Sequence, residues 1–429
     1  MKNEKTIASF DDCGLRPALL DALKKMFPGP TPIQHRVIPI ANEGKDVVGI
    51  AQTGTGKTLA FGAPMMQILA EKGGQGLVLV PTRELAIQVE EMLIKVGRSF
   101  GLRLSLIIGG ASMNLQIKSL QRNPHIIVAT PGRLNDLMKQ KKIDLKNIKI
   151  VVLDEADRML DIGFMPQIKE ILSHAPSERQ TMLFSATMPA GIAEIAKQFM
   201  KQPLRIEVAP PGTAAEKVEQ TVYFVESEKK KALLKKLLEE NKGTVLIFTR
   251  TKFGAKKLTM DLLKLSHSAV EIHSDRTLAQ RKDALSGFKN GKYRVLVATD
   301  VAARGIDVKD ISLVINFDVP DNLDDYVHRI GRTGRAGEKG LAITFARPDQ
   351  KRDISDIEKL VRKQIPIVSM PEDLCPDDFS KFYLRNEKPS GRAGFAGRRN
   401  GFQRRSKFPK AQGRMEQKRK PKEKSYFAW

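Results

Sequence analysis

The chain is punctuated by short, mostly uninterrupted apolar runs, often β-branched. In its first half they fall at Asp46–Ile50, Leu77–Val80, Leu104–Ile108, Ile126–Val128, Ile150–Leu153 and Met182–Phe184. Between them lie stretches with apolar residues at helical spacing. One is Leu15–Phe27, which puts Leu15, Leu19, Leu20 and Leu23 on one face. Runs that are apolar throughout, rather than alternating, fit strands covered on both sides. Strand-like and helix-like segments in alternation predict an α/β protein with mainly parallel sheets. The pattern pauses at EVAPPGTAAEKVEQ, Glu207 to Gln220, where Pro210, Pro211 and Gly212 predict a linker. It resumes at Thr244–Phe248, Ala269–Ile272, Val295–Ala298, Leu313–Ile315 and Leu341–Phe345. We therefore expect two domains of similar size, at 1–206 and 218–387, joined by a linker at 207–217.

From Lys388 to Trp429 the pattern fails altogether. Gly, Arg, Lys, Gln and Pro dominate, with isolated Phe395, Phe402 and Phe408. Such a segment cannot bury enough apolar surface to fold alone, and 388–429 is expected to be a disordered basic tail. Charge sharpens this. From Arg385 onward there are 15 Lys and Arg against three Glu, half of the net charge of +24. A basic body with a more basic tail implies a polyanionic partner, usually nucleic acid. At 429 residues the chain exceeds one ordinary core. Two distant cysteines, Cys13 and Cys375, argue against a disulfide framework and suit a reducing, cytoplasmic setting. No apolar run reaches bilayer length, and MKNEKTIASFDDCG has no secretory apolar core, so no membrane partner is expected.

AQTGTGKT, Ala51 to Thr58, sits between a strand-like run and a helix-like one, the context that makes a phosphate loop credible. In the cofactor-binding set Thr53, Gly54, Thr55, Gly56, Lys57 and Thr58, the glycines let backbone N–H groups turn toward phosphates. Lys57 offers a point charge, and Thr58 a hydroxyl for Mg²⁺. Ala51 stands where the strict pattern has glycine. The bland alternative is an ordinary turn with a solvated lysine.

VVLDEAD, Val151 to Asp157, ends an apolar run in three carboxylates. Like charges so close are costly unless a cation joins them. Downstream of a phosphate loop, this fits Asp154 holding Mg²⁺, largely through water, and Glu155 orienting or deprotonating an attacking water. The alternative is an acidic first helical turn, which Asp157 alone would satisfy.

At D-E-A-D the sequence resembles the DEAD-box ATP-dependent RNA helicases of superfamily 2, in the bacterial form with a short N-terminus and a basic tail. The resemblance spans about residues 10 to 345, with motifs in the family's order. It implies two tandem RecA-like domains with parallel sheets, ATP and Mg²⁺ as cofactors, and RNA as partner. Phe10 and TPIQ, ending in Gln34, look like the adenine-reading Q motif. A Gln amide pairs well with adenine N6/N7, and Phe10 is placed to stack. Read without the family, Gln34 is a helix-start residue and Phe10 a core anchor.

PTRELA (Pro81, Thr82, Arg83), GG (Gly109, Gly110) and TPGR (Thr130, Gly132, Arg133) look like RNA-contact motifs, each after a strand. They offer donors to phosphates and little to base edges, so the expected binding ignores sequence. SAT (Ser185, Thr187) is implied to couple with Asp157. In the second half, Thr299 and Gly305 look like RNA contacts and Asp307 a ribose contact. His328 looks like an inter-domain link, and Arg332 and Arg335 like arginine fingers. Arg329, Arg332 and Arg335 recur every three residues, which equally fits a plain phosphate-binding face. One departure stands out: in LAQR, Leu278 occupies a position where the family has Gln, while Arg281 remains. The resemblance further implies local strand separation, with roles in ribosome assembly, RNA decay or cold adaptation, and ribosomal precursors or RNA-decay proteins as partners. Rival readings are a DNA helicase of the same superfamily and a non-enzymatic RNA chaperone driven by the tail.

Overall fold

The computed structural model describes residues 9–52, 54–208, 218–300, 311–334 and 340–371, apart from the side chains of Ser99 and Asp324. Within them the apolar runs become two parallel sheets. The first contains β1 (Val47–Ile50), β2 (Gln75–Leu79), β3 (Leu104–Ile107), β4 (Ile126–Ala129), β5 (Ile148–Leu153), β6 (Gln180–Ser185) and β7 (Leu204–Glu207). Their order across the sheet is β3-β4-β2-β5-β6-β1-β7. The second contains β8 (Val218–Phe224), β9 (Val245–Phe248), β10 (Ala269–Ile272), β11 (Val295–Ala298), β12 (Leu313–Asn316) and β13 (Gly340–Ala346), in the order β10-β11-β9-β12-β13-β8.

Fourteen α-helices are described. Those in the first half are α1 (Pro17–Met26), α2 (Pro32–Asn42), α3 (Lys57–Lys72), α4 (Arg83–Gly97), α5 (Met113–Leu120), α6 (Pro131–Lys139), α7 (Ala156–Asp161), α8 (Met165–His174) and α9 (Ala190–Phe199). The rest are α10 (Lys230–Glu240), α11 (Lys252–Lys264), α12 (Leu278–Lys289), α13 (Leu323–Ile330) and α14 (Lys351–Val361). The leucine face expected near residue 20 forms α1, with Leu19 and Leu23 fully buried.

Both faces of each sheet are covered. Along β5, Ile150 and Val152 join one core cluster, while Ile148, Val151 and Leu153 join another on the opposite face. That is why the run carries no polar alternation. Each fully buried aliphatic side chain is worth roughly 1.5–3 kcal/mol over leaving it in water. β1 carries Gly49 because the Phe184 ring of β6 lies over it; a Cβ there would come within 2.7 Å of that ring. The pairing of β2 with β5 shifts register between Gln75 and Gly76, opposite Ile148 and Ile150.

The pause read at Glu207–Gln220 holds strand at both of its ends, so that of the linker expected at 207–217 only Glu207 falls in a described strand. Leu204–Glu207 is an edge strand and Val218–Gln220 opens β8. Both were missed because edge strands bury only part of their surface: Ile206 alone is buried in β7, and β8 alternates strictly at Val218, Gln220, Val222 and Phe224. The outer side of β8 is partly capped, since Val222 bridges to Ile367. The remainder of the linker and the tail lie outside the described residues. Among the described residues no helix is long and apolar enough to cross a membrane.

Candidate active site and nucleic-acid interface

β5 delivers three carboxylates into the interior: Asp154, Glu155 and Asp157 are all buried, Asp154 at 2% exposure. The chain turns sharply there. Glu155 adopts left-handed angles, φ 53° and ψ 50°. Such a conformation costs a non-glycine residue roughly 1–2 kcal/mol. Local hydrogen bonds offset this: the Glu155 N–H donates to Asp154 Oδ1 (2.9 Å), and its carbonyl accepts from the Arg158 and Met159 N–H groups (3.1 Å each).

Each carboxylate then meets different partners. Asp154 Oδ1 lies 3.9 Å from Lys57 Nζ. Glu155 Oε2 takes a 3.0 Å ion pair from Arg158, itself 2% exposed. Asp157 Oδ2 accepts from the Ala186 N–H (3.0 Å), the Thr187 N–H (2.9 Å) and the Thr187 hydroxyl (3.1 Å). The Asp157 N–H donates to Ser185 Oγ (3.1 Å). The carboxylate run and SAT are therefore one hydrogen-bonded unit. This corrects the expectation that a metal alone makes the crowding tolerable. Arg158, inside the same stretch, is a resident counter-charge.

Their electrostatics differ. Burial pushes the Asp154 carboxyl up to about 6, with Lys57 pulling it back. Burial also opposes Glu155, but Arg158, Lys57 and Arg332 outweigh it and hold that carboxyl below its ordinary value. Asp154 is thus a buried acid short of positive charge, whereas Glu155 stays ionised.

The phosphate loop joins β1 to α3. Gly56 has φ 90°, and a Cβ there would fall 2.2 Å from Gln34 Nε2, so only glycine fits. Lys57 Nζ donates to the Ala51 carbonyl (3.1 Å), and Thr55 Oγ1 to the Gln52 carbonyl (2.7 Å). Gly54 is exposed and Thr58 half-buried at the start of α3. Gln34 Nε2 donates to the Gly56 carbonyl (3.0 Å), and Gln34 Oε1 accepts from the Thr31 N–H (2.9 Å). A primary amide has two donors and two acceptor lone pairs, so one of each remains for a base. Phe10 does not remain available. Its ring is 2% exposed and packs in the first core, which corrects the stacking expectation in favour of the core anchor. Thr53 lies outside the described residues. A tight loop, a buried lysine and an acid lacking positive charge fit a nucleotide with a divalent cation.

The motifs expected to contact nucleic acid occupy the other half of the same sheet edge. Thr82, after β2, caps α4 by accepting from the Leu85 N–H (3.2 Å), and its own O–H remains a donor. Pro81 beside it is buried. The Arg83 guanidinium lies against Gly109 and Gly110, where Cβ atoms would approach it within 3.2 and 2.3 Å. Arg133 Nη1 donates to the Ala111 carbonyl (3.1 Å). Thr130 caps the start of α6 without a side-chain bond, and Gly132 faces open space.

In the second half, Thr299 follows β11 and is buried, and His328 and Arg332 are buried at the end of α13. Arg332 Nε donates to the His328 carbonyl (3.2 Å). Arg158 of the first half joins Phe248, Asp300, Asp325, His328, Arg329 and Arg332 around a cavity of about 10 Å³, roughly one water. Arg329 does not share the anion expected for the arginine series. It is held by Asp300 (2.6 and 2.7 Å) and the Asp318 carbonyl (2.6 Å), over the Phe248 ring. Gly305, Asp307 and Arg335 lie outside the described residues. Sequence reasoning missed Arg158 and Asp300, and it missed a buried ion pair between Glu84 and Arg281 (2.6 Å). Arg158 directly follows D-E-A-D, and Glu84 and Arg281 lie inside PTRELA and LAQR, so charge within or beside a motif was the available signal.

Residues 31–195 match the model of the DEAD/DEAH box helicases, and residues 228–337 that of the helicase conserved C-terminal domain. The chain is 43% identical over 369 residues to the DEAD-box ATP-dependent RNA helicase CshA of Bacillus cereus, covering 85% of this chain and 70% of the relative. For its Bacillus subtilis counterpart the identity is 44% over 367 residues, covering 85% and 74%. Among solved structures it resembles Saccharomyces cerevisiae Dbp5 bound to RNA and ADP BeF3 (TM-score 0.76, 33% identity, 88% of this chain and 98% of that one). It likewise resembles Mss116p bound to ssRNA and AMP-PNP (TM-score 0.78, 27% identity, 90% and 84%).

Proposed function

Because this chain belongs to the DEAD/DEAH box helicase family, among the DEAD-box ATP-dependent RNA helicases, we propose that it is an RNA-stimulated ATPase that separates short RNA duplexes locally and without reading their sequence. The observation that carries this reading is the setting of Glu155, which is ion-paired at 3.0 Å to Arg158, a residue that shares a small cavity with His328 and Arg332 of the second half. A catalytic carboxylate shared between two sheets is complete only when they come together, which makes hydrolysis conditional on closure.

In this mechanism Lys57 and the N-terminal turn of α3 bind the ATP phosphates, and Gln34 uses its remaining donor and acceptor on the base. Asp154 and Thr58 would hold Mg²⁺, largely through water, and the bound ion would supply Lewis-acid neutralisation of phosphate charge. Glu155 stays ionised and orients the attacking water as a hydrogen-bond acceptor; its lowered proton affinity suits orientation better than proton removal. Arg332, with Arg335, stabilises charge developing on the transferred phosphoryl group. Asp157 relays the nucleotide state through Ser185 and Thr187, and His328 joins that relay from the second domain. RNA lies along Thr82, Arg83, Gly109, Gly110, Thr130 and Arg133, with Thr299 from the other domain, held by its phosphates. Closure bends the bound strand and displaces its partner. The cellular setting is the cytoplasm, in ribosome assembly, RNA decay or cold adaptation.

The test is steady-state ATPase with RNA or DNA of one sequence, beside duplex separation. Stimulation by RNA with ATP-dependent unwinding is expected. Stronger stimulation by DNA, or unwinding without ATP, would overturn the proposal.

A further inference from the structure

The strands of the first sheet run parallel, so their amino ends gather at the edge opposite Asp154. An open cavity of about 780 Å³ lies there. Its wall comes from the residues leading into β1, β6 and β7, from Lys149 and Ile150 near the start of β5, and from Ile68 and Lys72 in the last turns of α3. Lys57 and Lys72 stand at opposite ends of α3, roughly 22 Å apart along its axis. The cavity is therefore separate from the phosphate loop. Its size falls within the range of small-molecule sites, about 300–1,000 Å³.

Five cationic residues line it against two acidic ones, Asp46 and Glu178. Most of these charges are already engaged. Arg179 donates to the carbonyls of Leu172, Ala175, Pro176 and Phe199 (2.7–3.4 Å). Asp46 accepts from the Thr181 N–H (2.7 Å) and the Lys201 N–H (2.6 Å). Lys45 pairs with Glu43 at 2.6 Å, and Lys201 with Glu178 at 2.7 Å. Lys72 and Lys149 remain. Both are exposed, and among the described residues neither has an ion pair. The fold brings them together: the Lys149 stem lies along Gly74, in the turn after Lys72, where a Cβ would come within 2.4 Å of Lys149 Cγ.

Two further features point to a ligand. Gln180 is buried at the head of β6, and its Nε2 donates to the Ala41 and Lys45 carbonyls (2.8 Å each). Those bonds fix the amide and leave Gln180 Oε1 without a hydrogen-bond partner among the described residues. Buried polar atoms are rarely left so. Leu204, at the start of β7, is 41% exposed and shares the cavity with Ile68 and Ile150, which gives it an apolar wall.

We propose that this cavity is a second ligand site, one that takes an organic phosphate of the nucleotide class. Lys72 and Lys149 hold the phosphate, Ile68 and Leu204 pack against the base, and Gln180 Oε1 accepts from a base N–H. Two lysines at one turn act as paired point charges for a phosphate dianion. An apolar wall with a few placed polar groups then fixes the orientation of the rest. The same chemistry is offered by a free mononucleotide and by the 5′-terminal nucleotide of an RNA strand. The site does not depend on the ATPase reading above.

The experiment uses the full chain, methyl-labelled at isoleucine, with Mg²⁺ and a saturating non-hydrolysable ATP analogue to fill the site at Lys57. Uridine 5′-monophosphate, inorganic phosphate and a 5′-phosphorylated uridine hexanucleotide are titrated in turn, and the Ile68 and Ile150 methyl signals are followed by NMR. The mononucleotide should move both signals. Changing Lys72→Glu and Lys149→Glu together should weaken it by about tenfold or more, the loss expected for a charge-assisted contact. Melting temperature should hold, because both lysines are exposed. Leu204→Ser should weaken the mononucleotide and leave inorganic phosphate unchanged. Unmoved signals at about 10 mM mononucleotide would overturn the site. So would inorganic phosphate binding as tightly as the mononucleotide, or full affinity in the charge-reversed protein. Tighter binding of the hexanucleotide, lost in that same protein, supports the site with an RNA end as its source; equal or weaker binding supports it with a free nucleotide.

Discussion

At the scale of single residues, Glu155 is where backbone strain and the proposed chemistry meet. Its left-handed backbone and paired side chain leave it ionised and fixed. Glu155→Gln should keep ATP binding while lowering hydrolysis by about 10²–10⁴-fold, read by fluorescent-nucleotide titration beside single-turnover hydrolysis. Retained hydrolysis would remove Glu155 from the reaction. Cys13 offers a pH test of the core. Its thiol is fully buried, and burial pushes it up to about 11. A raised value means that the neutral form stabilises the fold below the free thiol's value, and that this contribution is lost as pH rises through about 11. Iodoacetamide at pH 8 should therefore leave Cys13 unlabelled until denaturant is added, as mass spectrometry can check. Residue types showed that Asp154 and Lys57 belong together. They already allowed Phe10 as a core anchor, but they did not show that Gln34 is half committed, because that depends on contact with the phosphate loop 22 residues away.

At the scale of elements, the apolar runs were legible because strands buried on both faces tolerate no polar interruption. β7 and β8 escaped notice for the converse reason: an edge strand needs only half its residues buried. The turn between β5 and α7 was legible as chemistry but not as geometry, since nothing in the local sequence demands a left-handed glutamate. Two expectations follow. Gly49→Val should overpack β1 against Phe184 and lower stability by about 1–3 kcal/mol, measurable as a drop in urea midpoint without loss of secondary structure. Asp157→Asn should reduce RNA unwinding more than ATP affinity, because among the described residues Asp157 bonds to SAT and not to the phosphate loop. Equal losses would mean that the relay and the nucleotide site are one.

At the scale of the whole molecule, charge and strand order divide the labour. The basic segment beyond residue 388 carries nearly half of the net positive charge and lies outside the described residues. Removing 388–429 should weaken RNA binding about equally across sequences and flatten its dependence on salt, while RNA-saturated ATPase persists. A filter-binding series over salt concentration, run beside ATPase at saturating RNA, checks this. In the first sheet, β5, β6 and β1 carry the motifs proposed for nucleotide binding and coupling, and β2, β4 and β3 those proposed to contact nucleic acid. The ladder between β2 and β5 is the seam joining those halves. It is in regular register from Gly76 to Leu79 and slips only at its foot, between Gln75 and Gly76. Such an irregularity loosens and twists a sheet locally. The seam therefore resembles a zip fastened at the working end and slack at the base. Amide protons at Val78 and Val152 should be among the slowest to exchange with solvent, and their protection should rise with either ligand, since both halves pull on the same few bonds.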